Sequence, residues 1–151
     1  NHGAGNIARV RESAVTGWRG NLAVTVAIVL AVQLFATQLV MLFDPANAEV
    51  TAVGVHYLRV CCTVNCVLYV TMFSFDSFAL GVGRANVALY NSLLDAVVAK
   101  LALSWAAVAV LGMGFTGIYL GQALSSLLPA VVGVVFYCRG RWMDTPGTPT
   151  A

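Results

Sequence analysis

The sequence predicts an all-α fold, a polytopic membrane protein with four transmembrane helices, and three observations predict it. Apolar residues make up 60% of the 151 residues and charged residues 9%, whereas a soluble domain carries about 25% charged residues. The apolar residues gather in four long runs, each reaching the roughly 20 residues a helix needs to cross about 30 Å of hydrocarbon. Most charges lie near or outside the ends of those runs; only Arg59, Asp76, Asp95 and Lys100 fall within them. A water-soluble domain could not cover its surface with so few charges, and a net charge of +2 is too small to point to nucleic acid.

The first run spans about 20–43, carries no charge and reads NLAVTVAIVLAVQLFATQLVMLF from Asn21. The second spans about 53–80, the third about 87–111 and the fourth about 117–137. Helix is the expected state of each, because backbone groups in lipid must pair within their own segment. A β-barrel would need alternating strands of about ten residues, and these runs are continuously apolar. None has the length and small-residue cleavage site of a signal peptide. The breaks are punctuated as turns: Asp44-Pro45-Ala46-Asn47, Gly81 to Asn86, and Gly112 to Gly117. Loops this short predict antiparallel neighbours in contact. The stretch 143–151, rich in Pro and Thr, predicts a disordered tail.

Orientation follows from the basic residues. With the N-terminus cytoplasmic, the inside segments 1–19, 81–86 and 138–151 hold Arg9, Arg11, Arg19, Arg84, Arg139 and Arg141. The outside loops then hold Asp44 and Glu49 and no Lys or Arg, a strong positive-inside bias. Arg59 is within snorkelling reach of the outer interface, and His56 beside it reads as interfacial. The expectation is a multi-pass integral membrane protein with both ends of the segment in the cytoplasm.

Polar residues inside the runs are the candidates for function. An intramembrane carboxylate is costly unless paired or hydrated, and so marks a functional site by default. Asp76 lies about five residues from the cytoplasmic end of the second run; the alternative is that it reaches water or Arg84 at the interface. Asp95 and Lys100, five residues apart, stand about 140° apart around a regular α-helix and are not expected to pair. Asn91 and Asp95 share a face, with Tyr90 and Ser92 beside it. That stripe reads as a proton- or cation-linked carboxylate or a lining for a cationic substrate; equally, it reads as a polar cluster that fixes helix packing. The candidate substrate- or cation-linked residues are therefore Asp95, Asn91, Asp76 and Tyr90.

Other features carry less. Cys61, Cys62 and Cys66 sit in an apolar run without a Cys-x-x-Cys pair or partner His, and read as small buried thiols. Gly3-Ala4-Gly5 and Gly81-Val82-Gly83 lack the context of phosphate loops. Gln33, Gln38 and Asn65 read as interhelical hydrogen-bonding groups. No nucleophile, base and oxyanion donor can be assembled, so neither an enzyme, a cofactor site nor a metal site is expected.

The opening Asn1-His2-Gly3-Ala4-Gly5-Asn6-Ile7-Ala8-Arg9-Val10-Arg11 resembles the Gly-Gln-Asn-x-Gly-Ala-Gly-x-x-x-Arg loop of the multidrug and toxic compound extrusion (MATE) transporters. Leu42-Phe43-Asp44 with Glu49-Val50, the Gly81-Val82-Gly83 turn leading into Asn86 to Leu94, and Gly117-Ile118-Tyr119 to Arg139-Gly140-Arg141-Trp142 are similar to later features of that family, in the same order. The resemblance covers nearly all of 1–142. It implies that the chain is a fragment, the last four helices of a six-helix MATE lobe, whose partners are eight preceding helices of the same protein, the lipid bilayer and small amphipathic substrates. A chain opening inside a loop without a start Met suits that reading.

The resemblance further implies an H⁺- or Na⁺-coupled antiporter that exports amphipathic and cationic drugs by alternating access, with no cofactor beyond the coupling ion. Members commonly carry a coupling carboxylate in the first helix of the first lobe, which these residues do not include. Some carry an acid in the helix corresponding to 53–80. Measured back from Gly81-x-Gly83, Asp76 lies too close to the cytoplasmic end to match it, so that role is not transferred. Two other classes remain: a small non-transporting membrane subunit, and a lipid-linked-intermediate flippase of related fold.

Overall fold

The computed structural model describes residues 1–43 and 45–143. Among the described residues there is no strand, and four helices are long and apolar enough to cross a membrane: α1 (Ile7–Met41), α2 (Ala48–Gly81), α3 (Ala85–Val110) and α4 (Gly114–Arg139). The expectations for Asp44 and for the tail from 144 onward lie outside the described residues.

Helix ends follow local chemistry more closely than the apolar runs do. The Asn6 side chain accepts a hydrogen bond from the Arg9 amide and caps α1, so the helix begins before the apolar run and carries the N-terminal arginines on its first turns. Asn47 likewise accepts from the amides of Glu49 and Val50, and Glu49 in the first turn complements the helix dipole. α2 therefore starts at Ala48, ahead of the apolar run at 53.

α3 and α4 are not regular throughout. Leu94–Ala99 and Ala106–Val110 of α3 wind as π-helix. α4 is interrupted by a turn at Ser125 and Ser126 and resumes at Leu127. Pro129 falls in the first turn of the resumed helix, where its missing N–H costs little. Sequence analysis reads 117–137 as one span; the proline and paired serines divide it.

α2 is the centre of the arrangement. α1 packs chiefly along it, both halves of α4 pack on it, and the opening turns of α3 reach it; α3 also packs on α4. The α3–α4 approach depends on Gly121, where a Cβ would lie 2.6 Å from the Ser104 amide nitrogen. Small residues at such crossings are how helices in lipid gain packing contacts.

One end of the bundle is closed by Trp142, which is fully buried with Val10 and Val82 and ringed by Ile7, Phe78, Phe136 and Tyr137. Its indole N–H donates to the Tyr137 carbonyl at 2.9 Å, and its own carbonyl accepts from His2 Nε2 at 2.9 Å. Arg84 donates to the Arg141 carbonyl at 3.4 Å. The N-terminal segment, the α2–α3 turn and residues 140–143 thus meet at the same end.

Candidate functional site

The buried polar groups of α2, α3 and α4 converge. Asn91, 1% exposed, is the hub. Its Nδ2 donates to Asp76 Oδ1 at 2.7 Å and to the Pro129 carbonyl at 3.0 Å. Both partners can accept, so the amide is held with its nitrogen toward them; its Oδ1 is buried with no partner among the described residues. α4 reaches this point because residue 133 is glycine, where a Cβ would sit 2.8 Å from Phe75 Cβ.

One turn along α3, Asp95 is 4% exposed and also faces inward. Its Oδ1 accepts from Ser126 Oγ at 2.9 Å, and its Oδ2 pairs with Lys100 Nζ at 3.0 Å. The expectation that Asp95 and Lys100 do not pair is therefore corrected. Between them α3 hydrogen-bonds as a π-helix; i→i+5 winding brings residues five apart onto one face, where regular α geometry would splay them. π-segments of this kind occur frequently at functional sites. The Lys100 ammonium also lies 6.0 Å from the Tyr69 ring centroid, tying α3 to α2.

Asp76 requires a second correction. Distance from the helix end suggests access to water or Arg84, yet Asp76 is 6% exposed and bound to Asn91, while Arg84 is engaged with the Arg141 carbonyl. Rotation about α2, rather than depth along it, decides the matter: Met72, Phe75 and Ala79 share Asp76's buried face. Among the described residues no cation pairs with Asp76.

Of the four sequence candidates, three lie in two buried polar clusters one turn apart on α3 and one does not. Asp76, Asn91 and Asp95 are buried, whereas Tyr90 is 70% exposed. Sequence reasoning missed Lys100 as a partner, along with Ser126, Pro129 and Tyr69. Ser125-Ser126 with Pro129 inside an apolar run is the signal that could have located the α4 break. All four cysteines are free, and Cys61 Sγ lies 3.5 Å from the Tyr119 carbonyl. Chemically, the two clusters offer one carboxylate neutralised by lysine and one that, among the described residues, is held only by an amide.

The model of the MatE family matches residues 1–106. These residues include α1, α2, most of α3, and Asp76, Asn91, Asp95 and Lys100. The chain belongs to the MatE family. MatE is a family of membrane transporters and not an enzyme class. Ser126 and Pro129 lie beyond the matched residues, as does the stretch to Trp142 that resembles the closing helix of MATE proteins. No curated protein and no solved structure matches the chain.

Proposed function

We propose that this MatE chain works as part of an H⁺- or Na⁺-coupled antiporter exporting amphipathic, chiefly cationic compounds. The observation that carries the reading is the pair of buried carboxylates, Asp76 and Asp95, gathered by Asn91 and Ser126 between three transmembrane helices of a transporter family. Charged groups in such positions line ion and substrate pathways. Asp95 already has Lys100 as counter-ion; among the described residues Asp76 has only an amide. Asp76 is thus the better position for a proton or cation drawn from the coupling gradient, which reverses the order that the sequence suggests. Alternating access needs two repeats rocking about a midplane site, so in this reading transport belongs to these four helices together with eight further helices of the same protein.

The test is efflux of an aromatic organic cation from vesicles holding the full-length protein, under H⁺ and Na⁺ gradients in turn. Coupled export that falls at least tenfold in Asp76→Asn and less in Asp95→Asn is the expected result. No export under either gradient overturns the antiporter reading and favours a flippase or a non-transporting subunit. For orientation, the arginine bias predicts both ends of the segment in the cytoplasm. A single cysteine at position 47 should then react with an impermeant reagent from outside only.

A further inference from the structure

The Lys100 ammonium sits in surroundings that would suit a free ammonium ion. Asp95 Oδ2 is 3.0 Å from it, and that carboxylate is buried and oriented by Ser126. The Tyr69 ring lies on another side, with its centroid 6.0 Å away, about the range at which an aromatic face attracts a cation. The carboxylate is 5% exposed but the lysine side chain 27%, so the anion is fixed while the cation lies at the more open edge.

Tyr69 has a second neighbourhood. With Ile28, Val29, Val70 and Phe73 it lines an apolar groove of about 380 Å³ between α1 and α2, within the size range of small-molecule sites. Tyr69 is 39% exposed and its ring packs on Phe73 at 4.6 Å between centroids. A cation site and an apolar groove therefore share one tyrosine, and that is the pharmacophore of an amphipathic ammonium compound.

We propose that Asp95, Tyr69 and this groove form a binding site for amphipathic ammonium compounds, and that Lys100 is a tethered ammonium which fills the polar half when no ligand is bound. The ligand's ammonium exchanges with that of Lys100 at the carboxylate, and its apolar body lies in the groove. An internal competitor keeps affinity modest, as a site that must also release its ligand requires. The inference takes its ligand class from the transporter reading and otherwise stands on the geometry.

The probe is 2-naphthylmethylammonium, whose fluorescence reports binding, titrated into full-length protein in nanodiscs, with the uncharged 2-naphthylmethanol as control. Lys100→Met should bind the ammonium about tenfold more tightly than wild type and the alcohol no more tightly. Lys100→Met/Asp95→Asn should lose that gain. Tyr69→Leu, which leaves the ion pair intact, should weaken ammonium binding about threefold in the wild-type background. Thermal melting of Lys100→Ala should rise with added butylammonium chloride and stay flat with equal potassium chloride.

An unchanged affinity in Lys100→Met, or a gain shared by the alcohol, overturns the proposal. Should that variant fail to fold, a Tyr69→Leu protein that binds the ammonium as wild type does overturns it instead. Efflux is a separate reading: wild-type export of cations together with no gain of ammonium affinity in Lys100→Met sinks this site and leaves the antiporter standing.

Discussion

α1 and α4 are both apolar enough to span a membrane, yet they lead opposite lives in the fold. Across their most apolar stretches, 6% of α1 is buried against protein and 39% of α4. α1 presents Val24, Ile28 and Leu34 outward and meets α2 through side-chain pairs: Trp18 to Thr71 at 3.2 Å, Asn21 to Ser74 at 3.3 Å and Gln33 to Thr63 at 3.1 Å. α4 presents glycine, serine and proline to its neighbours, and its backbone enters the polar network directly. The lesson concerns the solvent. Lipid is as apolar as leucine, so hydrophobicity does not select the packed helix; close approach of small residues and interhelical hydrogen bonds do.

The largest effect should come from the hub. Asn91→Leu deprives Asp76 of its only polar partner among the described residues and crowds the face at Gly133. Leaving a buried group without its hydrogen-bond partner costs about 1–3 kcal/mol, and more when the group is charged, so this variant of the full-length protein should melt well below wild type or fail to accumulate. The matching change in the other region, Asn21→Leu, should cost about 0.6 kcal/mol, the average for an interhelical hydrogen bond in a membrane protein. Equal losses in the two would erase the distinction between α1 and the three-helix network.

Steric substitutions sharpen the same contrast. Gly121→Val drives a side chain into Ser104 and should cost about 1–3 kcal/mol, as overpacking does. Gly20 on α1 has nothing within 4 Å of its Cβ position; Gly20→Ala should be neutral or stabilising by up to about 1 kcal/mol through helix propensity. Thermal melts of both proteins check the pair. Trp18→Phe keeps an aromatic ring and loses the hydrogen bond to Thr71, so it should be the smallest of the losses, about 0.6 kcal/mol or less. A large loss there would mean that α1 is held as tightly as α4.

The candidate site was partly legible before any coordinates. Asn91 and Asp95 stand four apart, and the cost of a carboxylate in hydrocarbon turns that stripe inward. Asp76 was recognisable as an intramembrane acid, but not its facing: five residues from a helix end says how deep a side chain lies and nothing of whether protein or water covers it. The Asp95–Lys100 pair was unreadable for a different reason. Regular α geometry separates the two, and the π-segment that unites them depends on how α3 packs on α2 and α4. Tyr90 shows the reverse error, since adjacency to Asn91 in sequence places it about 100° away around the helix and out of the network.

By itself, the sequence determined the number of the spans, their helical state and the family, because continuous apolar runs in lipid leave the backbone one way to satisfy its hydrogen bonds. Tertiary structure decided which face of each helix meets protein, where α3 winds as π-helix and where α4 breaks. Those choices were also what joined Asp76, Asn91 and Pro129 in one buried cluster and Asp95, Lys100 and Ser126 in a second, one turn along α3. The physical reason is that a uniformly apolar helix carries no rotational instruction of its own. Its orientation is set by the few small and polar groups that find partners across the interface, and partners belong to the assembled bundle.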